Sequence, residues 1–298
     1  MFKNMSPRAL GLTGRQSELI ELALTYGFRG MDVDMADLAK RARNTSLAHA
    51  IRYLESAKLR IGNYDLPIDW QGDDTAFRSQ LTLLEEACQV AAALDARRCV
   101  WIVEPASDER PFQENFEFHR QRLAQVADVL AKFDIQLGLG LRSLKSQREG
   151  RTYQFICEVD ALLTLVKSIP AGNVGVLVDT FHWFLGGGSM SDLSDLDPEK
   201  VVGLRLADYA RDEDPNEFDE SARRLPGAGG VDCQAVVNLF VQKKYDGPAT
   251  LYVHPSRFRG MTRDGIVQKA AEVMDELWRG AGLSKPKPVA ATAGEAAT

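Results

Sequence analysis

The 298-residue sequence predicts an α/β chain folded as a single-domain (βα)8 TIM barrel. Three observations carry the prediction. Short apolar or β-branched runs alternate with longer segments of helical period from the first residues to about position 280. About eight such βα units in that length is the arithmetic of a closed barrel. The competing doubly wound sheet would show G-x-G-x-x-G after its first strand, and no such turn follows Leu12.

The elements follow in order. A first strand is expected at residues 9–12, then a helix with Leu19, Leu22, Ala23 and Tyr26 on its apolar face and Gly27 as its stop. Gly30-Met31-Asp32-Val33 reads as the second strand, Ala48, Ile51, Tyr53 and Leu54 as one helix, and residues 59–64 as the third strand. Leu81, Leu84, Ala87, Cys88 and Ala91 have the i, i+3, i+4 spacing of a buried helical stripe. The fourth strand, Cys99-Val100-Trp101-Ile102-Val103, is apolar enough to be covered on both faces. Beyond a helix bearing Phe116, Leu123, Val126, Ala127, Leu130 and Phe133, strands are expected at 135–141, 174–178, 201–206 and 250–253. Helices through Leu162–Val166, Val236–Val241 and residues 273–278 complete the units, with Asp232 as an N-cap.

Composition narrows the function. The chain is 45% hydrophobic and 26% charged, and Lys plus Arg at 36 against Asp plus Glu at 42 give a formal charge of −6. Without a basic run, no nucleic-acid partner is expected, since phosphate neutralisation dominates such affinity. No apolar stretch approaches the length of a membrane span, and the start lacks a secretory apolar segment. Cys88, Cys99, Cys157 and Cys233 form no C-x-x-C pair, which suits reduced thiols and a cytoplasmic location. Residues 1–283 are read as the barrel and residues 284–298, rich in Ala, Pro, Thr and Lys, as a disordered tail.

Barrel chemistry collects where strands end at their C-terminal side. The strongest cluster is Val178-Asp179-Thr180-Phe181-His182-Trp183-Phe184. Asp179 with a neutral His182 suits a divalent ion or proton transfer at a sugar hydroxyl, and Phe181 and Trp183 suit the C–H face of a sugar ring. Equally, Asp179 caps the next segment and His182 is a packed histidine. Arg205 and Asp208 end the seventh strand, and Tyr252 and His254 the eighth. Glu104 is a candidate base or simply the start of a loop with Pro105. Asp32 is either a substrate hydrogen-bond partner or a helix cap. His119 lies on an apolar helical stripe and reads as a packed histidine. Gly186-Gly187-Gly188-Ser189 reads as a mobile loop over the pocket.

Asp179-Thr180-Phe181-His182, Leu204-Arg205-Leu206-Ala207-Asp208, Leu225-Pro226-Gly227-Ala228-Gly229 and Tyr245-Asp246-Gly247-Pro248 together carry a resemblance. Over most of residues 9–280 the chain resembles the xylose isomerase-like (βα)8 barrels, the sugar phosphate isomerase and epimerase group that also includes endonuclease IV. The resemblance implies one divalent ion held by Glu, Asp, His and Glu at the ends of strands five to eight, the two Glu also moving the proton. Taken position by position, those places fall on Gly140, Asp179, Arg205 and Tyr252. One ligand is kept. The acid of the family's Pro-Gly-Glu-Gly loop is Ala228 here. A guanidinium has no lone pair for coordination, so Arg205 would repel a dication, pair with Asp179, or grip a carboxylate or phosphate. A cation on the chain is therefore expected in the electrostatic place of the metal.

The expectation is a sugar phosphate isomerase/epimerase-like protein that acts on or binds a small sugar, polyol or sugar acid, with no cofactor and no family metal. His182 or Glu104 would be the base; Asp179, Arg205, Trp183, Phe181, Asp208, His254 and Tyr252 would bind the ligand. Two alternatives stand beside it. The loss of paired glutamates suits a non-catalytic barrel that binds a carbohydrate or a protein partner. A metal-dependent isomerase could instead rebuild its site from Asp179, His182, Asp208 and His254.

Overall fold

The computed structural model describes residues 1–283; the expected tail lies outside the described residues. The strands are β1 (Phe2–Met5), β2 (Gly30–Met31), β3 (Arg60–Ile61), β4 (Tyr64–Asp65), β5 (Arg98–Ile102), β6 (Gln136–Gly140), β7 (Val174–Asp179), β8 (Val201–Leu206) and β9 (Pro248–Leu251). They form one parallel sheet in the order β3-β2-β1-β9-β8-β7-β6-β5-β4. Its two end strands, β3 and β4, are separated in the chain only by Gly62 and Asn63. They are two halves of one interrupted stave, so the sheet closes into a (βα)8 barrel.

The helices are α1 (Gln16–Thr25), α2 (Met35–Asn44), α3 (Leu47–Ala57), α4 (Asp74–Ala93), α5 (Phe112–Ala131), α6 (Val159–Ser168), α7 (Thr180–Leu185), α8 (Met190–Asp195), α9 (Cys233–Gln242) and α10 (Arg263–Gly280). Their apolar stripes pack on the strands, with Leu123, Val126, Leu130 and Phe240 fully buried. Where one helix was expected between the second and third strands there are two, because Ser46 interrupts the run and its Oγ accepts from His49 N to start α3. Asp232 caps α9 as the sequence implies, accepting from Ala235 N at 2.9 Å. Among the described residues no helix is long and apolar enough to cross a membrane.

The first strand is Phe2–Met5 and not residues 9–12, which form turns closed by Leu10 N to Ser6 O and Leu12 N to Pro7 O. The apolar run misleads because Leu10 and Leu12 are buried from a loop, while the true strand carries Asn4 inward. Asn4 matters to the interior, which is divided. On one side Val100, Leu177 and Val202, with Ile102 against them, form an apolar plug. On the other, Asn4 Nδ2 donates to Thr250 Oγ1 at 2.9 Å and Asn63 Nδ2 to Val202 O at 3.2 Å. The cavity at the mouth opens over this polar side.

Candidate active site

At the end of β7, Asp179 is buried and both its oxygens are taken. The partner is Arg223, whose Nη1 lies 2.9 Å from Oδ1 and whose Nη2 lies 3.0 Å from Oδ2. Arg223 comes from the long segment between β8 and α9, and its side chain is 5% exposed, so this is a fully desolvated bidentate pair. Its Nε also donates to Glu220 Oε2 at 2.6 Å, and its guanidinium stacks 4.7 Å from the Phe181 ring centre. Burial alone would favour the neutral guanidine, but the charges of Asp179 and Glu220 outweigh it and raise the Arg223 pKa. Arg257 pins the segment from outside, through Nε to Arg223 O at 3.1 Å and a second bond to Ser221 O.

His182 closes the cluster. The backbone N–H of Ser143 donates to its Nδ1 at 3.3 Å, so the proton sits on Nε2, which faces Glu220 Oε1 at 3.3 Å. Burial, then the charge of Arg223, lowers the His182 pKa, so the imidazole is neutral at pH 7. Against burial, the His182 hydrogen bond and the Arg223 charge hold the Glu220 carboxyl well below the usual carboxylate range. His182 is thus hydrogen-bonded at both nitrogens.

The expected pairing of Asp179 with Arg205 is replaced by pairing with Arg223, although Arg205 and Asp179 are register partners on β8 and β7. Arg205 instead turns to a cavity of about 780 Å³ at the mouth, between the ends of β1, β2 and β4 and the Tyr252 ring. Its side chain is 7% exposed and its guanidinium lies 4.0 Å from the Tyr252 centroid and 4.0 Å from Asp65 Oδ1. Among the described residues it makes no side-chain hydrogen bond, so its N–H donors face the cavity. Asp32 lines the same cavity. Its Oδ1 accepts from Asn4 Nδ2 at 2.6 Å and Asn63 N at 2.7 Å, and neither bond uses Oδ2. Burial raises the Asp32 pKa, opposed by the Asn63 N–H and the charge of Arg205. The helix-cap role open to Asp32 belongs to Asp34, which accepts from Asp37 N at the start of α2.

The other expected site residues do not line this cavity. Phe181 packs against Tyr209, Phe218 and Arg223, and Trp183 is buried with Gly188 against its indole, so neither forms a sugar-facing wall. The same contact, with Ser189 capping α8, makes the glycine run a packed corner and not a loop over the pocket. Glu104 is exposed and pairs with Arg142 at 3.0 Å. His254 caps the turn Pro255–Phe258 by accepting from Ser256 N. His119 is buried against Trp70 and Phe155, its Nδ1 donating to Asn115 O. Only Arg205 and Tyr252 of the expected set reach the cavity. Arg223 and Glu220 carry no sequence signal beyond an acidic and arginine-bearing stretch ahead of Leu225-Pro226-Gly227, since their segment has no periodicity to place it.

Asp208 is wholly buried and acts on the backbone. Its Oδ1 accepts from the N–H groups of Tyr209 and Val231 at 2.7 Å, and its Oδ2 from those of Gly227 at 3.1 Å and Gly229 at 2.9 Å. It therefore folds the Leu225–Gly229 turn and leaves no lone pair aimed at a ligand. Asp208→Asn puts an amide nitrogen against N–H groups and is expected to lower the unfolding free energy in urea by about 1–3 kcal/mol. An unchanged urea midpoint would show that these four bonds do not hold the turn.

Among the described residues, the ligand places implied by the resemblance carry no metal donors that converge. A side chain at Gly140 would start 2.6 Å from Ile102 Cδ1 and 3.1 Å from Leu177 Cδ2, inside the plug. Asp179 is saturated by a cation, Arg205 offers no lone pair, and Tyr252 lies under Arg205. Asp179, His182, Asp208 and His254 are each committed to different partners, and among the described residues no group of three or more His, Cys, Asp or Glu is placed to hold a metal ion. These donors do not fit a dication.

Fold and site together define a (βα)8 barrel whose mouth cavity sets one buried arginine, Arg205, among the carboxylates Asp32, Asp34, Asp37 and Asp65. The family model described as xylose isomerase-like TIM barrel matches residues 20–277, and the chain belongs to that family. A xylose isomerase domain protein from Alicyclobacillus acidocaldarius superposes with a TM-score of 0.84 at 27% identity, over 95% of this chain and 99% of that one. An inosose isomerase of Halalkalibacterium halodurans is 21% identical over 113 residues, 38% of this chain and 40% of the relative. A 3-dehydroshikimate dehydratase of Pseudomonas aeruginosa is 31% identical over 96 residues, 32% of this chain and 15% of the relative. The matches thus span less than half the length of either curated relative.

Proposed function

We propose that this barrel binds a small anionic carbohydrate, a sugar acid or sugar phosphate, at the cavity around Arg205, and isomerises or epimerises it without a divalent metal ion. The observation that carries the reading is the Arg205 guanidinium: its side chain is 7% exposed, it makes no side-chain hydrogen bond among the described residues, and it borders a cavity of about 780 Å³. Its fork of N–H donors matches the geometry of a carboxylate or phosphate. The cavity is large enough for a five- or six-carbon ligand. Tyr252 holds the guanidinium flat from one side, which limits the orientations it can offer. The family, and relatives described as an inosose isomerase and a dehydroshikimate dehydratase, support chemistry at a hydroxylated carbon skeleton.

A thermal-shift and calorimetry series with D-glucuronate, D-ribose 5-phosphate and uncharged D-glucose tests the reading. The two anions should stabilise the fold and D-glucose should not. Arg205→Ala should weaken anion binding at least about 10-fold to 100-fold, the loss of a charged hydrogen-bonding partner. Equal affinity in the variant, or no binding of either anion, would remove Arg205 from the proposal.

A further inference from the structure

Resting on that reading, we infer that Asp32 is the proton-transferring residue of this barrel: with the substrate's anionic group on Arg205, Asp32 Oδ2 removes the proton from the carbon beside the substrate carbonyl. The chemistry has thus moved across the mouth, from the end of β7 to the ends of β2 and β8. Three features of the cavity lead there. Asp32 and Arg205 line the same space, whereas His182 and Glu104 line none of it. The Asp32 carboxylate is oriented at Oδ1 by Asn4 and Asn63, and the Ser6 hydroxyl also lies against the carboxylate, whose Oδ2 is turned to the cavity shared with Arg205. The other cavity carboxylates lie nearer solvent and are engaged elsewhere, Asp34 as the α2 cap, Asp37 in a pair with Arg41 at 2.9 Å and Asp65 in a pair with Arg8 at 2.5 Å.

The step balances without an outside reagent. The C–H bond next to the carbonyl breaks, its electron pair becomes the C=C of an enediolate, and Asp32 takes the proton. The carbonyl π pair moves onto its oxygen, while Arg205, holding the substrate's anionic group, keeps the reacting carbon against Asp32. Return of the proton to the former carbonyl carbon, with the hydroxyl proton passing to the former carbonyl oxygen, completes a 1,2-isomerisation and restores the carboxylate. Return to the same carbon gives exchange with solvent. Burial lifts the Asp32 pKa toward the range useful for a base, and the facing charge of Arg205 opposes that rise; Arg8 and Asp65, paired with each other across the cavity, largely offset one another.

The test uses the full chain in D2O with D-glucuronate and D-ribose 5-phosphate, reading deuterium beside the carbonyl by NMR and affinity by calorimetry. Wild type should incorporate deuterium, and Asp32→Asn, which keeps the Oδ1 acceptor for Asn4 and Asn63, should slow incorporation at least about 100-fold while binding each probe within about 3-fold. In wild type the rate should fall as acid protonates Asp32, with a midpoint above the ordinary carboxylate value of about 3.9. Exchange in Asp32→Asn at the wild-type rate overturns the assignment. Binding of either probe without exchange also overturns it and leaves the anion site standing. Failure of both probes to bind removes the site and the assignment together.

Discussion

Arg223→Met is expected to lower the unfolding free energy by about 3–5 kcal/mol, read from urea denaturation followed by fluorescence and circular dichroism. The substitution removes one partner of a buried pair and leaves Asp179, 3% exposed, charged and unpaired at the end of β7. It also takes from Glu220 the Nε donor and leaves Phe181 without its stacked cation. Adding Asp179→Leu should recover most of the loss, since an apolar pair of similar volume no longer carries the desolvation penalty. A double-mutant cycle then gives the coupling, expected at 0.5–3 kcal/mol or about that for residues in direct contact. The cost should also depend on pH. Glu220 has its folded pKa below the ordinary 4.5, so its share is complete above that value and is lost as pH falls toward the folded one. His182, lowered from 6.5 by burial, acts in the same direction on acidification. The gap between wild type and Arg223→Met should therefore narrow below pH 4.5. A full-strength Arg223→Met protein would mean that the pair contributes no stability.

The fold was legible because most staves are covered on both faces. Residues 201–206 could be read to the residue as a strand, and Arg98–Ile102 and Gln136–Gly140 to within one, since apart from Arg205 the polar residues fall at their ends, Arg98 and Gln136. β1 was hidden for the opposite reason: Lys3 and Asn4 break its apolar run, and Asn4 is polar because it faces the polar side of the interior, where it bonds Asp32 and Thr250. The site was legible in its charges and not in its partners. Arg205 could be picked out from its place at a strand end, while the guanidinium paired with Asp179 is that of Arg223. The identity of that guanidinium was not readable, because Arg223 reaches Asp179 from an irregular segment whose course is set by Asp208 and Arg257, 15 and 34 positions away in sequence. Strand-end rules locate residues that regular elements present. They are silent about side chains that loops bring back.

Gly140→Glu, which restores one acid at the place implied by the family resemblance, is expected to destabilise the protein by more than about 3 kcal/mol and to gain no zinc binding by calorimetry. The added Cβ meets Ile102 Cδ1 at 2.6 Å and Leu177 Cδ2 at 3.1 Å, and both belong to the apolar plug with Val100 and Val202. Overpacking of that kind costs about 1–3 kcal/mol, and Gly140→Ala should show that part alone. The remainder is the carboxyl itself, which finds neither water nor a donor among those side chains and keeps its proton. Its folded pKa lies above the unfolded value of about 4.3, so the penalty is small in acid and grows as pH rises through the folded value. The gap between Gly140→Glu and Gly140→Ala should accordingly widen from pH 4 to pH 8 or thereabouts. A stable Gly140→Glu protein that binds zinc stoichiometrically would show that the plug yields and that the old ligand place survives. The expected failure has a structural reason: glycine at 140 is what admits Ile102 and Leu177, and Arg223 already saturates the one retained acid. An acid returned at 140 would meet hydrocarbon from Ile102 and Leu177. With β6 and β7 closed in this way, the open polar surface left at the mouth is the one that Asp32, Arg205 and Tyr252 share.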